Sequence, residues 1–300
     1  MAVPSRLGPV TGDPRIDPER CTGCGACTRA CPTGVLAQGE PGIVIDREAG
    51  FGCIACGHCM MVCPRDAIAV TGRGFDPSIL TEIPRRSDLP TPESLDALLL
   101  RRRSVRRYRP EPVSRDVIRQ VVEAAALAPM AIPPSEIGIV VFDTPDRVRA
   151  LANLGVAIYR RLLRMMDHRV ARALLRLSPK GAWFVDFLLP LGRQVVAAAD
   201  RGEDHLLYKA PACLLFHQSR HADPADVAIA ITTAMLAAEA RGLGTCIIGA
   251  LPGPLARNGA ACRRAGIPAG HVPAGALILG WPDVTFRKAI RRPLASVRWD

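Results

Sequence analysis

The chain has 300 residues, 49% of them hydrophobic, with 39 Lys and Arg against 28 Asp and Glu for a net charge of +11. That length is too long for one small module and suits two domains, one small and one of ordinary size, with ample apolar content for a core. The opening MAVPSRLGPV lacks an apolar run and a cleavage pattern, and the greasiest stretch, Ala182–Gly192, is interrupted by Asp186 and shorter than the roughly 20 residues of a spanning helix. A cytoplasmic chain with eight of its eleven cysteines before residue 64 points to metal rather than disulfides.

The first element is CTGCGACTRACP, Cys21–Pro32, repeated 32 residues later as CIACGHCMMVCP, Cys53–Pro64. Both read C-x2-C-x2-C-x3-C-P. Thiolates at this spacing hold an iron–sulfur cube with three ligands from a tight loop and a fourth that opens toward another site. Zinc also favours four-cysteine sites, but its ribbons pair C-x2-C knuckles without a duplicated triplet and a following Cys-Pro. Gly23, Gly25, Ala26, Ala55 and Gly57 are small enough to let backbone amides approach the sulfurs. His58 reads as a loop residue, because the cysteine set is complete without it.

Residues 1–72 thus resemble the two-cluster bacterial-type ferredoxins. The resemblance implies two 4Fe–4S clusters with crossed ligands: Cys21, Cys24, Cys27 and Cys63 for one, and Cys53, Cys56, Cys59 and Cys31 for the other.

Residues 73–92 are rich in Gly, Pro, Asp and Arg and read as a linker. Thr91, Pro92 and Glu93 then start a helix carrying Leu95, Leu98 and Leu99, and Ser114 caps a second with Val117, Ile118, Val121, Val122 and Ala125 at helical spacing. Short β-type runs follow at Ile137–Phe142, Ala212–Phe216, Thr245–Ile248 and Ala274–Leu279, with a helix over Pro224–Arg241. Strands alternating with helices predict an α/β or α+β domain over 93–300. Cys213, Cys246 and Cys262 stand singly among apolar or small residues and read as buried structural thiols.

Between the first two helices lies RRRSVRRYRPEPV, Arg101–Val113. Its arginines suit a phosphate, since a guanidinium fork and a hydroxyl satisfy phosphate oxygens. Nucleic acid is disfavoured, because only Tyr108 supplies an aromatic face. RRSVRRY resembles the R-R/H-S-x-R/K-x-F/Y signature of the nitroreductase family. EAAALAP (123–129), YKAPACLLFH (208–217), DVAIAITTAMLAAEARGLGTCIIGAL (226–251) and ALILGWPDVTFRKAIRRPLASV (276–297) resemble further stretches of that family in the same order.

The expected fold class is therefore α+β: a small two-cluster ferredoxin-like domain followed by a nitroreductase-like α/β sandwich with a central mixed sheet. The resemblance implies non-covalent FMN at the interface of an intertwined homodimer. Arg102, Arg103 and Ser104 would take the FMN phosphate and ribityl chain, and Arg106 would lie near flavin N1 and O2. The backbone of Ile247, Ile248, Gly249 and Ala250 would lie against the ring near N5. Arg291 or Arg292 would close on the phosphate from the tail. One departure stands out. Where the family reads Ser-x-x-Asn-x-Gln-Pro-Trp, this chain has MAIPPSEIG, with Pro133 at the Asn position and Ser135 at the Gln position. The amide contact is lost or is supplied by Ser135 or by backbone, which argues against an ordinary NAD(P)H-dependent specificity.

Gly155–Gly202 is a basic, helical insertion, expected to pack as two amphipathic helices, with a substrate lid or membrane-surface contact as the other readings. His168, His205 and Tyr208 read as ordinary packing or surface residues, with approach to a substrate as the other reading; Glu239 reads as structural, and no catalytic residue is assigned. The function expected is an iron–sulfur flavoprotein oxidoreductase that passes electrons through two clusters to FMN for two-electron reduction of a small organic molecule. The partner is an external donor, ferredoxin or an NAD(P)H-linked reductase. A non-catalytic electron-transfer subunit is the alternative.

Overall fold

The cysteine spacing dictates the local chain path of the first unit. The computed structural model describes residues 2–40, 42–166 and 169–299; His168 lies outside them. Strand β1 (Asp13–Ile16) is followed by the short helix α1 (Ala26–Ala30), the hairpin β2 (Leu36–Gly39) and β3 (Gly42–Ile45), helix α2 (His58–Met61) and β4 (Ile68–Thr71). β1 pairs antiparallel with β4, and β2 with β3. Both helices begin at a glycine in the left-handed region, Gly25 at φ 71° and Gly57 at φ 74°, which turns the chain sharply after the second cysteine of each run. α1 and α2 pack on each other, and Leu36, Ala55, Cys59, Ile68 and Val70 form the buried centre.

This unit comprises Met1–Leu89 together with Met130–Ile137 and Ser219–Asp223. The stretch read as a linker carries two single 3-10 turns, Pro77–Ile79 and Arg86–Asp88; the first is capped by the Asp76 carboxylate, which accepts the Ser78 N–H at 2.9 Å.

The second unit comprises Pro90–Pro129, Gly138–Gln218 and Pro224–Asp300. Its helices start where their caps place them. The Thr91 hydroxyl accepts the Ser94 N–H at the head of α3 (Pro92–Arg101), and the Ser114 hydroxyl accepts the Val117 N–H at the head of α4 (Arg115–Ala126). Ile118, Val121 and Ala125 are the buried stripe of α4. Then come β5 (Ile137–Phe142), α5 (Pro145–Met165), α6 (Arg169–Leu175), α7 (Pro179–Trp183), a π-turn over Phe184–Leu188, α8 (Leu189–Asp200), β6 (Ala212–Ser219), α9 (Pro224–Ala240), β7 (Gly244–Ile247), α10 (Pro252–Ala256), α11 (Gly259–Arg264) and β8 (His271–Gly280).

The strands form one sheet in the order β5-β6-β8-β7, with β7 antiparallel to β8. Alternation sorts the side chains. Cys213, Leu215, Cys246, Ile248, Ala276 and Ile278 share a core with α5, α8 and the α10–α11 pair. On the other face, α9 comes so close that a Cβ on Gly275 would run into the Ile231 side chain, and α3 and α4 pack on α9 in turn. The architecture is α+β, with helices on both faces of a central sheet. Helices α5 and α8 of the insertion pack together: Gly192 approaches the fully buried Tyr159 so closely that a Cβ there would sit 2.6 Å from its ring.

The greasy run near residue 185 belongs to a longer helical stretch than its sequence implies. Gly181–Asp200 is long and apolar enough, by length and composition, to cross a membrane, and 39% of its most apolar window is buried inside the protein.

Candidate functional site

Two cavities in the first unit are walled by cysteine. One is lined by Cys21, Cys24, Cys27 and Cys63, with Ile16, Ile43 and Ile68 around them. The other is lined by Cys31, Cys53, Cys56 and Cys59, with Val35, Leu36 and Val70. Each fourth cysteine therefore faces the cavity of the other run. The four thiols of each group line a common void, which suits a multi-atom cluster. Burial pushes the Cys59 thiol up to about 12 and raises Cys53 and Cys27, while the Ala26 N–H holds Cys24 below the ordinary range. Raised thiols must lose their protons to bind metal, so loading of these cavities releases acid.

In the second unit the basic segment lies along the free edge of β7. Ser104 bridges Thr245 in parallel fashion, the Val105 N–H donates to the Thr245 carbonyl at 2.8 Å, and the Tyr108 hydroxyl donates to the Val105 carbonyl at 2.7 Å. This brings Arg102, Ser104 and Arg106 around Cys246. Burial raises the Cys246 thiol, and Arg106, Ser104 and Arg102 oppose that rise. Beyond Cys246 the chain is open: Ile247 is 46% exposed, and a Cβ on Gly249 would meet nothing. Ile248 is buried, and its N–H donates to the Ala276 carbonyl at 2.8 Å. An open backbone ledge beside guanidinium groups fits a flat ring that carries an anionic chain.

Tyr208 and Arg106 meet across chain segments, with the guanidinium 5.7 Å from the ring centroid. Tyr208 (φ 57°) and Lys209 (φ 50°) both hold left-handed backbone, a costly conformation for side chains of this size. Asp204 secures it, its carboxylate accepting the N–H groups of Leu206, Leu207 and Lys209 at 2.9, 2.8 and 3.0 Å. His205 lies next to Glu203 on the surface, 3.3 Å away.

The remaining residues singled out in the sequence fall elsewhere. Arg103 lines a cavity of about 580 Å³ with Arg101, Glu239, Gly244, Phe286 and Lys288. Glu239 there lies 3.4 Å from Arg101, and burial raises its carboxyl against the pull of Arg101 and Arg102. Arg291 and Arg292 lie in an exposed, extended tail. Ser135 belongs to the first unit, where its hydroxyl accepts the Ile137 N–H. Cys213 and Cys246 are buried as expected from their neighbours, whereas Cys262 is only half-buried and donates to the Leu255 carbonyl at 3.2 Å.

Two contributors escape sequence reasoning. Tyr159, in the insertion, is fully buried and donates its hydroxyl to the Ala250 carbonyl at 2.6 Å, fixing the turn after β7. Arg73, two residues after β4, is buried and donates to the Pro133 carbonyl. Nothing in the local pattern marks either one.

Residues 13–64 match a 4Fe–4S dicluster domain, and residues 99–281 match the nitroreductase family. No curated protein sequence matches the chain. Among solved structures, a nitroreductase with bound FMN from Desulfitobacterium hafniense DCB-2 is 19% identical, with a TM-score of 0.51 over 70% of this chain and 100% of its own. An FMN-dependent nitroreductase from Clostridium difficile R20291 is 19% identical, with a TM-score of 0.50 over 68% of this chain and 98% of its own. A BluB-like flavoprotein from Clostridium difficile 630 is 17% identical, with a TM-score of 0.50 over 66% and 94%. At these identities the neighbours speak for the fold, and the family match covers more than half of the chain: it belongs to the nitroreductase family, preceded by a 4Fe–4S dicluster domain.

Proposed function

We propose that this chain is an iron–sulfur flavoprotein oxidoreductase that accepts electrons singly at its cysteine-lined cavities and delivers them in pairs to a small organic acceptor. The observation that carries this reading is the crossed sorting of eight cysteines into two cavities of four, in the same chain as a nitroreductase domain. Iron–sulfur cubes supply one-electron storage, and FMN supplies the exchange between single electrons and pairs.

The chain's own residues do the binding and orienting. Cys21, Cys24, Cys27 and Cys63 would hold one cube, and Cys31, Cys53, Cys56 and Cys59 the other. Arg102 and Ser104 would take the FMN phosphate and ribityl chain, with Arg291 or Arg292 arriving from the tail, while Arg103 lines the separate cavity of Glu239. Arg106 would face the pyrimidine edge, where a cation stabilises the charge that develops on reduction. The ledge from Ile247 to Ala250 would back the ring, held in place by Tyr159. Phe286, Ile290, Leu294, Val297 and Trp299 are exposed along the tail, which favours a second copy of the chain as the surface that covers them. The reading places the enzyme in the cytoplasm.

Cofactor analysis of anaerobically purified protein tests this directly. About eight irons with matching sulfide, one FMN and no zinc per chain are expected. Protein without flavin, or flavin reduction by a one-electron donor that persists unchanged after the iron is removed, would overturn it.

A further inference from the structure

Arg73 stands between Gly72 and Gly74 in left-handed backbone, φ 50°, and is 3% exposed. Among the residues whose side chains are described it is the only buried arginine. All three of its guanidinium nitrogens are engaged, yet by neutral groups. One terminal nitrogen donates to the carbonyls of Val3 and Val10, both at 2.7 Å, and the other two nitrogens donate to the Pro133 carbonyl at 2.6 and 3.2 Å. Carbonyls take four of its five N–H hydrogens and leave its charge uncancelled, an unfavourable arrangement unless a negative group is within reach.

Glu136 and Cys53 are the acidic groups near it. Val10, whose carbonyl Arg73 holds, lies two residues before Gly12; the Gly12 N–H donates to the Cys53 carbonyl at 2.7 Å, and a Cβ on Gly12 would lie 2.8 Å from the Cys53 Sγ. Glu136 is 5% exposed; one carboxylate oxygen accepts the Arg6 N–H at 2.9 Å, and the other has no hydrogen-bond partner. Cys53 belongs to the cavity of Cys31, Cys56 and Cys59. The cations at the other cavity, Arg65 in its lining and Arg29 near Cys24, are exposed and screened by solvent, whereas Arg73 is buried. The buried charge thus acts unequally on the two four-cysteine groups.

We propose that Arg73 is a positioning residue for electron transfer: its permanent charge, partly offset by Glu136, favours the reduced state of the centre held by Cys31, Cys53, Cys56 and Cys59 and makes that centre the higher-potential member of the pair. This rests on the reading that both cysteine groups hold 4Fe–4S clusters. Reduction of one centre adds one electron and no proton, so its charge becomes more negative by one unit. A guanidinium does not titrate in the accessible range, and a fixed cation in a low-dielectric surrounding favours the more negative state. Electrons entering at the centre of Cys21, Cys24, Cys27 and Cys63 then run downhill to the one beside Arg73.

The test is a potentiometric titration of the full-length, anaerobically loaded protein with dithionite as the reductant, followed by electron paramagnetic resonance. The wild type gives two one-electron waves, and the wave lost in Cys53→Ser belongs to the Arg73 side. Arg73→Met shifts that wave about tenfold toward the oxidised form, about 59 mV, and leaves the other in place. Arg73→Lys keeps the charge and stays near wild type. Glu136→Gln moves the same wave the opposite way. If Arg73→Met loses iron, the sign of the Glu136→Gln shift decides, upward for the proposal and no shift against it. Equal displacement of both waves, or no displacement in fully loaded Arg73→Met, overturns the proposal. A wild type without 4Fe–4S signals instead overturns the cluster reading on which it rests.

Discussion

Tyr159 and Ala250 are joined across 91 positions by a 2.6 Å hydrogen bond from the phenol to the backbone carbonyl. The donor comes from the inserted helix α5 and the acceptor from the turn after β7, so the insertion supports the ledge proposed for the flavin. Tyr159→Phe keeps the ring packed against Gly192 and removes only the hydroxyl. A loss of about 1 kcal/mol is expected, read as a lower urea midpoint at constant slope, together with lower FMN retention after gel filtration. Tyr159→Ala also leaves a cavity and should cost about 3–5 kcal/mol, the range for losing a large buried aromatic side chain. Equal flavin retention in Tyr159→Phe and wild type would separate this bond from the cofactor.

The basic segment should act on flavin and not on the fold. Arg106 is exposed at its head, as is Ser104, so Arg106→Gln and Ser104→Ala leave thermal unfolding of the apoprotein within about 0.5 kcal/mol. Loss of a charge-assisted contact of about 1.5–3 kcal/mol weakens FMN binding roughly ten- to a hundredfold for Arg106→Gln, measured by quenching of flavin fluorescence. Gly249→Ala is a steric companion, because its Cβ meets no protein atom and would intrude only on a bound ring.

Crossed ligation gives a prediction that sequence order alone would get wrong. Cys31 lies in the first run but faces Cys53, Cys56 and Cys59, and Cys63 faces Cys21, Cys24 and Cys27. Cys31→Ser and Cys56→Ser should therefore abolish the same magnetic signal, and Cys63→Ser and Cys24→Ser the other. Pairing by run, with Cys31→Ser matching Cys24→Ser, would refute the crossing.

Stability should decline on mild acidification through one histidine pair. The Nδ1 atoms of His217 and His271 are 2.9 Å apart, and burial, with His271 adding to it, holds His217 below its ordinary range. A histidine depressed in the native state is protonated preferentially in the unfolded chain. Its contribution is fully present above about pH 6.5 and is lost as pH falls from there through the native pKa. His217→Gln should flatten that part of the unfolding curve, measured by denaturant titration from neutral to mildly acidic pH.

How much of this was legible in sequence depends on the distance over which each signal acts. Thr91, Ser114 and the short apolar runs of Ile137–Phe142 and Ala212–Phe216 announce helix starts and strands because capping and β-propensity are local. The cysteine runs are legible for the same reason, since their spacing is itself the ligand geometry. Tyr159, Arg73 and Glu136 carry no such pattern. Their meaning comes from burial and from partners 91, 60 and 130 positions away. The 73–92 stretch shows the reverse. Its composition gives the linker signal, while Arg73 at its head is held by the carbonyls of Val3, Val10 and Pro133 within the first unit.

The first unit keeps few apolar side chains of its own. Leu36, Ala55, Cys59, Ile68 and Val70 are the buried members of its centre, and four of the partly buried residues against them are Cys27, Cys31, Cys53 and Cys63. The thiols that would hold the proposed clusters are thus also part of the unit's interior, and each run lends one of them to the other's cavity. Under the cluster reading, loading and folding are linked, so withdrawal of iron would lower the stability of this unit as well as its electron transfer.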